Sequence, residues 1–391
     1  VLLFRAILIF SFLINIDLSH AADELMDAGR AATIEVMLDN AIRRRLISGG
    51  VVAVGNHEGI LYSSARGQLY PVGITAVIDE RTLFDVASLT KVVATAPAIM
   101  KLLESGLITL LDPLSRWFPE FEGTGREEIT ILNLLTHTSG LDDSTLSGAT
   151  PLKSAIQHAA SQKSWNPFGN RFRYADINFI LLGELVKRAS GQSLDQFSQK
   201  HIFAPLGMTD TMFIPPVEMA PSIAPTIGSG KLLRAGVVQD GNARLLDGVA
   251  GHAGLFSTIS DLSSFAVMLL DQGELNRRRF FSQRVVTQMT APYFYSGGRI
   301  VRGLGWDIYS PFSSPRGRHF SDMSFGHTGY SGSSIWIDPE RDLFVIILTV
   351  RLDYSDIRHF SMLRSDISTL AASIFSRPRE AVEMLNDMQQ P

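Results

Sequence analysis

Residues 84–106 read FDVASLTKVVATAPAIMKLLESG, and the character of the chain changes inside them. Phe84 to Ala87 look like the tail of a buried segment, and from Val92 onward apolar residues recur at helical spacing. Upstream, residues 27–46 read as an amphipathic helix with the basic end Arg43, Arg44 and Arg45. The stretch GGVVAVGNHEGILYSSARG (49–67) then reads as two strands around a turn at Asn56 to Gly59, because β-branched runs flank Gly and Asn. Downstream, helical periods dominate to about residue 290, in INFILLGELVKRASG (177–191), LDQFSQKHIFAPLG (194–207) and ISDLSSFAVMLLDQG (259–273). Strand composition returns in GLGWDIY (303–309), SSIWIDPE (333–340) and DLFVIILTV (342–350), followed by a closing helix near 356–375. Strands at both ends with helices between predict an α+β fold: one antiparallel sheet built from both ends, packed by the terminal helices. Residues 22–86 and 300–391 would form this α/β lobe, and 87–299 an inserted, mainly helical lobe. The Pro- and Gly-rich stretch 215–230 reads as a long ordered loop or lid edge.

The 391 residues include no cysteine, which excludes disulfides, thiolate catalysis and Cys-ligated zinc. A net charge of −4 without a basic stripe argues against a nucleic-acid partner. Residues 1–21 read as an export signal: Arg5, an apolar run from Ala6 to Ile16, and small residues ending at Ala21. That run is short for a membrane span, which needs roughly 20 residues; an uncleaved anchor is the rival reading. No later segment is long and apolar enough to cross a bilayer. The expectation is an exported protein, periplasmic or secreted, without a stable membrane span after signal cleavage.

Ser88 and Lys91 stand at the start of the helical run, and the chain has seven lysines, of which only Lys91 follows a serine by three positions. Two readings stand for them. A serine at a helix start is commonly a cap beside a surface charge. Alternatively, the spacing puts both side chains on one helix face within mutual reach, as a nucleophile and its base require. An ordinary lysine, with pKa ~10.4, is a poor base at pH 7. Making it half neutral needs a fall of ~3, worth about 4 kcal/mol, from burial and nearby positive charge. Neither a G-x-S-x-G elbow nor an H-E-x-x-H zinc motif competes.

Two further segments carry candidates. FGNRFRYADINFILLG (168–183) places Tyr174 and Asp176 before a helix, and FGHTGYSGSSIWIDPE (325–340) places His327, Thr328 and Gly329 before a strand. SLTK, YAD and HTG, in that order, resemble the three motifs of the serine β-lactamases and penicillin-binding proteins, and within that family the class C β-lactamase, D-aminopeptidase and esterase branch. LLTHTSGL (134–141), IFAPLGMTDT (202–211), GHAGLFSTISDLSSFA (251–266) and GLGW (303–306) resemble the same branch, so the likeness runs from about residue 35 to 370. It implies a β-lactamase/transpeptidase-like fold with the site between the two lobes. It also implies that Ser88 attacks a carbonyl to form an acyl-enzyme, with Lys91 and Tyr174 sharing general-base duty and Tyr174 protonating the leaving group. The oxyanion would sit between the backbone N–H groups of Ser88 and Tyr330, and Thr328 and Gly329 would line the strand edge. Neither a metal nor a cofactor is needed.

Two positions depart from the β-lactam-hydrolysing pattern. His327 replaces a lysine, and Asp176 replaces an asparagine; an ionised carboxylate cannot donate a hydrogen bond to a substrate amide. Asp176 would instead attract Lys91 or His327, and a charge-coupled Asp176–His327 pair is the expectation. His252 is either structural or a substrate contact. His137 reads as a loop tie, and Trp165, Trp306 and Tyr330 as either core or cleft wall. The sequence favours a serine hydrolase acting on a small-molecule or muropeptide substrate: an amidase or peptidase on peptidoglycan-derived amides. Against it stand a carboxylesterase, a weak class C-like β-lactamase and a catalytically silent module that senses muropeptides or antibiotics. The oligomeric state is open.

Overall fold

Strand Ile47–Asn56 is buried along nearly its whole length, which places it in the middle of the molecule. Its neighbours are Gly59–Gly67 on one side and Leu343–Arg351 on the other, both antiparallel, so the first and last long strands of the chain lie side by side. Alternation sorts the side chains onto two faces. Val51 and Ala53, with Ile346 and Leu348, join the large core that also holds Ile99, Phe179 and Phe265. Val52 and Val54, with Val345 and Ile347, face Ile34, Leu38, Phe360, Leu363 and Ile367 of the terminal helices. Each such aliphatic side chain contributes roughly 1.5–3 kcal/mol by leaving water, so this double-sided strand anchors both layers.

The computed structural model describes residues 29–376, except 74–75, 163–167, 229–230, 233 and 298–299. The expected export signal and Trp165 lie outside the described residues. Among the described residues the sheet has eight strands, in the order 294–296, 300–302, 307–309, 325–328, 334–338, 343–351, 47–56 and 59–67. The fold is therefore the expected α+β, β-lactamase/transpeptidase-like arrangement. The sheet's far edge begins at Phe294, slightly ahead of residue 300. Residues 29–43 and Ile357–Phe375 are the terminal helices, with Asp356 capping the second through a 3.1 Å bond from the His359 N–H. Among the described residues no helix is long and apolar enough to cross a membrane.

A second, four-stranded sheet was not legible in the sequence, because its strands are two or three residues long. Leu83–Asp85 runs parallel to Ile223–Ala224 and antiparallel to Leu255–Ser257. Its work is local. It fixes the segment that enters the Ser88 turn and, through Ile223–Ala224, ties the described part of the Pro-rich stretch, residues 215–228, into the fold.

Candidate active site

The chain leaves strand Leu83–Asp85 and turns tightly before its helix. Ala87 takes φ 47°, a left-handed conformation costly for a residue with a Cβ. The buried Asp85 carboxylate holds that turn, accepting the Ala87 N–H at 2.8 Å. Thr90 Oγ donates to the Ala87 carbonyl at 2.6 Å and accepts the Leu255 N–H at 3.1 Å, lashing the turn to the neighbouring strand. Ala87–Leu89 is a 3₁₀ turn, Lys91–Thr95 a wide π turn, and Ala96–Glu104 a regular helix. No side chain caps the start, so Ser88 is not serving as an N-cap. Its hydroxyl accepts a 3.0 Å hydrogen bond from Lys91 Nζ.

Lys91 is fully buried. Its ammonium also donates to the His252 carbonyl at 3.0 Å and pairs with Asp176 Oδ1 at 2.7 Å. The rings of Tyr174 and Phe179 lie 5.1 and 5.8 Å away. Burial disfavours the lysine's charge, but the Asp176 carboxylate and Tyr174 oxygen outweigh it and hold its pKa above the ordinary value. This reverses the direction that burial alone would give. Asp176 is held below the usual carboxylate range, because Lys91 and then His252 overcome its own desolvation.

Tyr174 reaches the site from the residue pair just before helix Asp176–Ser190. His137 fixes it from below. The imidazole stacks on the phenol at 4.4 Å between centroids, its Nδ1 accepts the Ala175 N–H at 3.2 Å, and its carbonyl accepts the Arg173 N–H at 2.8 Å. The residues on both sides of Tyr174 are thus bonded to one histidine, and the expected loop tie is a positioning device. Burial, with Arg302 and Lys91 nearby, keeps His137 neutral, as the acceptor role of Nδ1 requires. The Tyr174 phenol is raised by burial, against the pull of the Lys91 ammonium beside its ring.

Strand Phe325–Thr328 supplies the third wall. Gly329 packs against the turn so closely that a Cβ would lie 2.5 Å from the Val86 carbonyl oxygen, a contact only glycine permits. Ser331 Oγ donates to the Asp85 carbonyl at 2.7 Å. These contacts bring residues 329–331 alongside the segment that leads into Ser88. Tyr330 stands 58% exposed, its ring 4.9 Å from that of Tyr354 and tilted by 41°. Trp306 is fully buried against Phe325 and belongs to the core.

The expected Asp176–His327 pair does not form. Asp176 is engaged by Lys91, whereas His327 is buried, donates through Nδ1 to the Thr328 carbonyl at 2.9 Å and faces Tyr174 at 6.0 Å. Burial, reinforced by Arg302 and Lys91, pushes its pKa well below the ordinary value, so it is neutral. His252 also differs from a substrate contact. Its ring is 1% exposed and donates from Nε2 to Asp240 at 2.9 Å; its carbonyl, not its imidazole, meets Lys91. Asp240, lowered to about 2 because the bond and charge from His252 outweigh burial, is a residue that sequence reading missed. Asp176, Asp240 and His252 bring one ligand atom each within 4.8 Å of the others, a spacing a cation would accept. The Lys91 ammonium already supplies the positive charge there.

A hydroxyl, a buried amine and a phenol within mutual reach beside a glycine-bounded strand define a serine hydrolase of β-lactamase/transpeptidase-like fold. The Beta-lactamase family model matches residues 23–359, and the chain belongs to that family. It is 29% identical over 309 residues to an N-acetylmuramyl-L-alanine amidase of Bacillus subtilis (strain 168), covering 70% of this chain and 69% of that protein. Among solved structures, EstCE1, a hydrolase with promiscuous acyltransferase activity, superposes with a TM-score of 0.74 at 20% identity, over 88% of this chain and 99% of the other. A class C beta-lactamase superposes at 0.71 with 21% identity, over 90% and 98%.

Proposed function

We propose that this protein is an exported amidase or peptidase that cleaves peptidoglycan-derived amides through an acyl-enzyme on Ser88. The observation that carries the reading is the 3.0 Å bond between Lys91 Nζ and Ser88 Oγ. Ser88 attacks the carbonyl carbon; its proton passes into the Tyr174–Lys91 pair; Tyr174 returns a proton to the departing amine; water then cleaves the ester. The oxyanion lies between the Ser88 and Tyr330 backbone N–H groups. Thr328 and Gly329 line the edge along which the substrate extends. The amidase resemblance supports the choice of bond, and so does the absence, at Asp176 and His327, of the amide donor and cation that would grip a β-lactam.

A carboxylesterase is the second reading. It is favoured by Lys91 being held cationic, because an ester, with its better leaving group, asks less of the base than an amide does.

Incubation of the mature protein with muramyl peptides, a nitrophenyl ester and a fluorescent penicillin, followed by intact mass, tests these readings. Peptide release from the muramyl substrate is the expected result. Ester turnover alone selects the esterase, penicillin turnover a β-lactamase, and a stable adduct without turnover a sensor. Labelling that survives Ser88→Ala removes the nucleophile and the reading with it.

A further inference from the structure

Phe312 presents 47% of its surface to solvent beside the reacting groups, on a loop built to hold it there. Its ring lies 5.4 Å from that of Tyr174, tilted by 52°, and 6.5 Å from that of Phe172. Phe172 in turn meets His137 edge-on at 6.2 Å and covers the Arg302 guanidinium at 5.2 Å. The loop that carries Phe312 is rigid for a specific reason. Ser310 Oγ and Ser313 Oγ both donate to Asp307 Oδ2 at 3.0 Å, and the Phe312 N–H donates to Ser310 Oγ at 3.1 Å. Ser313 Oγ accepts the Ser310 N–H at 2.8 Å. Asp307 itself is fixed by the buried Arg302 guanidinium at 3.1 Å. A buried ion pair and two serine hydroxyls therefore hold in place a phenyl ring that packs on Tyr174 and leaves half its surface bare.

We infer that Phe312 is a specificity-determining residue that receives the apolar face of the leaving group. The inference rests on the proposed hydrolase reading: Tyr174 protonates the departing atom, so the group attached to that atom lies on the side where Phe312 and Phe172 stand. The geometry suits a flat or branched apolar substituent, such as an aryl ring or the side chain of an apolar amino acid, and gives nothing to a charged or very small one. Such a contact, made in both the ground and transition states, is worth between tenfold and a few hundredfold in selectivity.

The test uses the full chain and two esters with the same acyl group, phenyl acetate and methyl acetate. The quantity read is the ratio of their kcat/KM values, for wild type, Phe312→Ala and Phe312→Tyr. Phe312→Ala is expected to lower the phenyl-over-methyl preference at least tenfold, and Phe312→Tyr, which keeps the ring, to restore most of it. A ratio unchanged in Phe312→Ala, whether or not both rates fall, overturns the assignment and leaves Phe312 as a prop for Tyr174. Wild-type protein with no Ser88-dependent turnover of either ester and no peptide release from muramyl peptides overturns the hydrolase reading as well, so the two failures are distinct.

Discussion

Lys91 Nζ lies 2.7 Å from Asp176 Oδ1, closer than it lies to the serine it is expected to activate, at 3.0 Å. The ion pair keeps the lysine cationic: the resting site holds a neutral phenol, a charged amine and a neutral hydroxyl. General-base chemistry from this state needs a proton to leave Lys91, and a raised pKa makes the competent fraction fall tenfold for each pH unit below it. The acid limb of kcat/KM is therefore expected on the alkaline side of neutrality.

Asp176→Asn removes the charge that holds that proton. The buried ammonium would then lack a counter-ion, a situation worth about 3–5 kcal/mol, which deprotonation relieves. The acid limb is expected to move to lower pH by ~1–3 units, measured as kcat/KM against pH with one ester substrate. Profiles of wild type and variant that superimpose would mean that Lys91 does not set the limb. Stability follows the same pair. The contribution of Asp176, whose folded pKa is depressed, is present above its ordinary value and lost as pH falls through the folded one. That of Lys91, whose folded pKa is raised, is lost only as pH climbs through the folded value.

Asp85 is predicted to control the site without touching a substrate. One carboxylate oxygen accepts the Ala87 N–H at 2.8 Å and the other the Gln239 N–H at 2.6 Å, so a single buried group ties the Ser88 turn to the loop that carries Asp240. Burial raises its pKa from 3.8 to about 6 against the pull of those two donors. A raised folded pKa gives stability that is complete below the unfolded value and lost as pH rises through the folded one. The window is thus about pH 4 to 6, and the loss roughly 3 kcal/mol at most. Asp85→Asn points an NH₂ at one of two backbone donors and is expected to cost about 1–3 kcal/mol, with turnover falling as the Ala87 turn relaxes. Because the variant lacks the titration, its deficit in urea midpoint should be larger at pH 4.5 than at 7.5. A deficit that grows with pH would show that the carboxylate is not paying a burial penalty.

Much of the candidate site is legible in the sequence, for reasons that differ residue by residue. Ser88, Lys91 and Tyr174 are neighbours of helix starts, where local periodicity fixes direction, and the two ends of the sheet announce themselves through β-branched alternation. What the sequence did not show is which acceptor each polar group meets across a long separation. The assignment of Asp176 to Lys91 and not to His327 depends on how helix Asp176–Ser190 approaches Lys91. The roles of Asp85 and Asp240 depend on strands too short to have a period. His252 read as either structural or a substrate contact, the second because glycines flank it; Gly251 instead serves packing and lets the His252 backbone, not its ring, come close to Lys91.

That last point yields the sharpest test of how Lys91 is held. The Thr95 hydroxyl donates to the Gly251 carbonyl at 2.6 Å and Lys91 to the next carbonyl, His252, at 3.0 Å, so residues 251–252 form the far wall of the lysine's cage. A Cβ on Gly251 would lie 1.9 Å from the Phe179 carbonyl oxygen and 2.9 Å from the Gly183 nitrogen, both backbone atoms of the helix that carries Asp176. Neither can yield without parting that helix from the cage. Gly251→Ala is expected to lose roughly 3 kcal/mol or more in chemical denaturation, and to lower kcat in the fraction that remains folded. Gly183→Ala presses on the same contact from the helix side, where its Cβ meets Gly251 atoms at 2.9 and 3.0 Å, but it gains about 1 kcal/mol of helix propensity. It should therefore be the milder of the two in stability while still slowing turnover. Equal stability losses, or full turnover in either variant, would show that the cage tolerates displacement and that Lys91 is positioned by Asp176 alone.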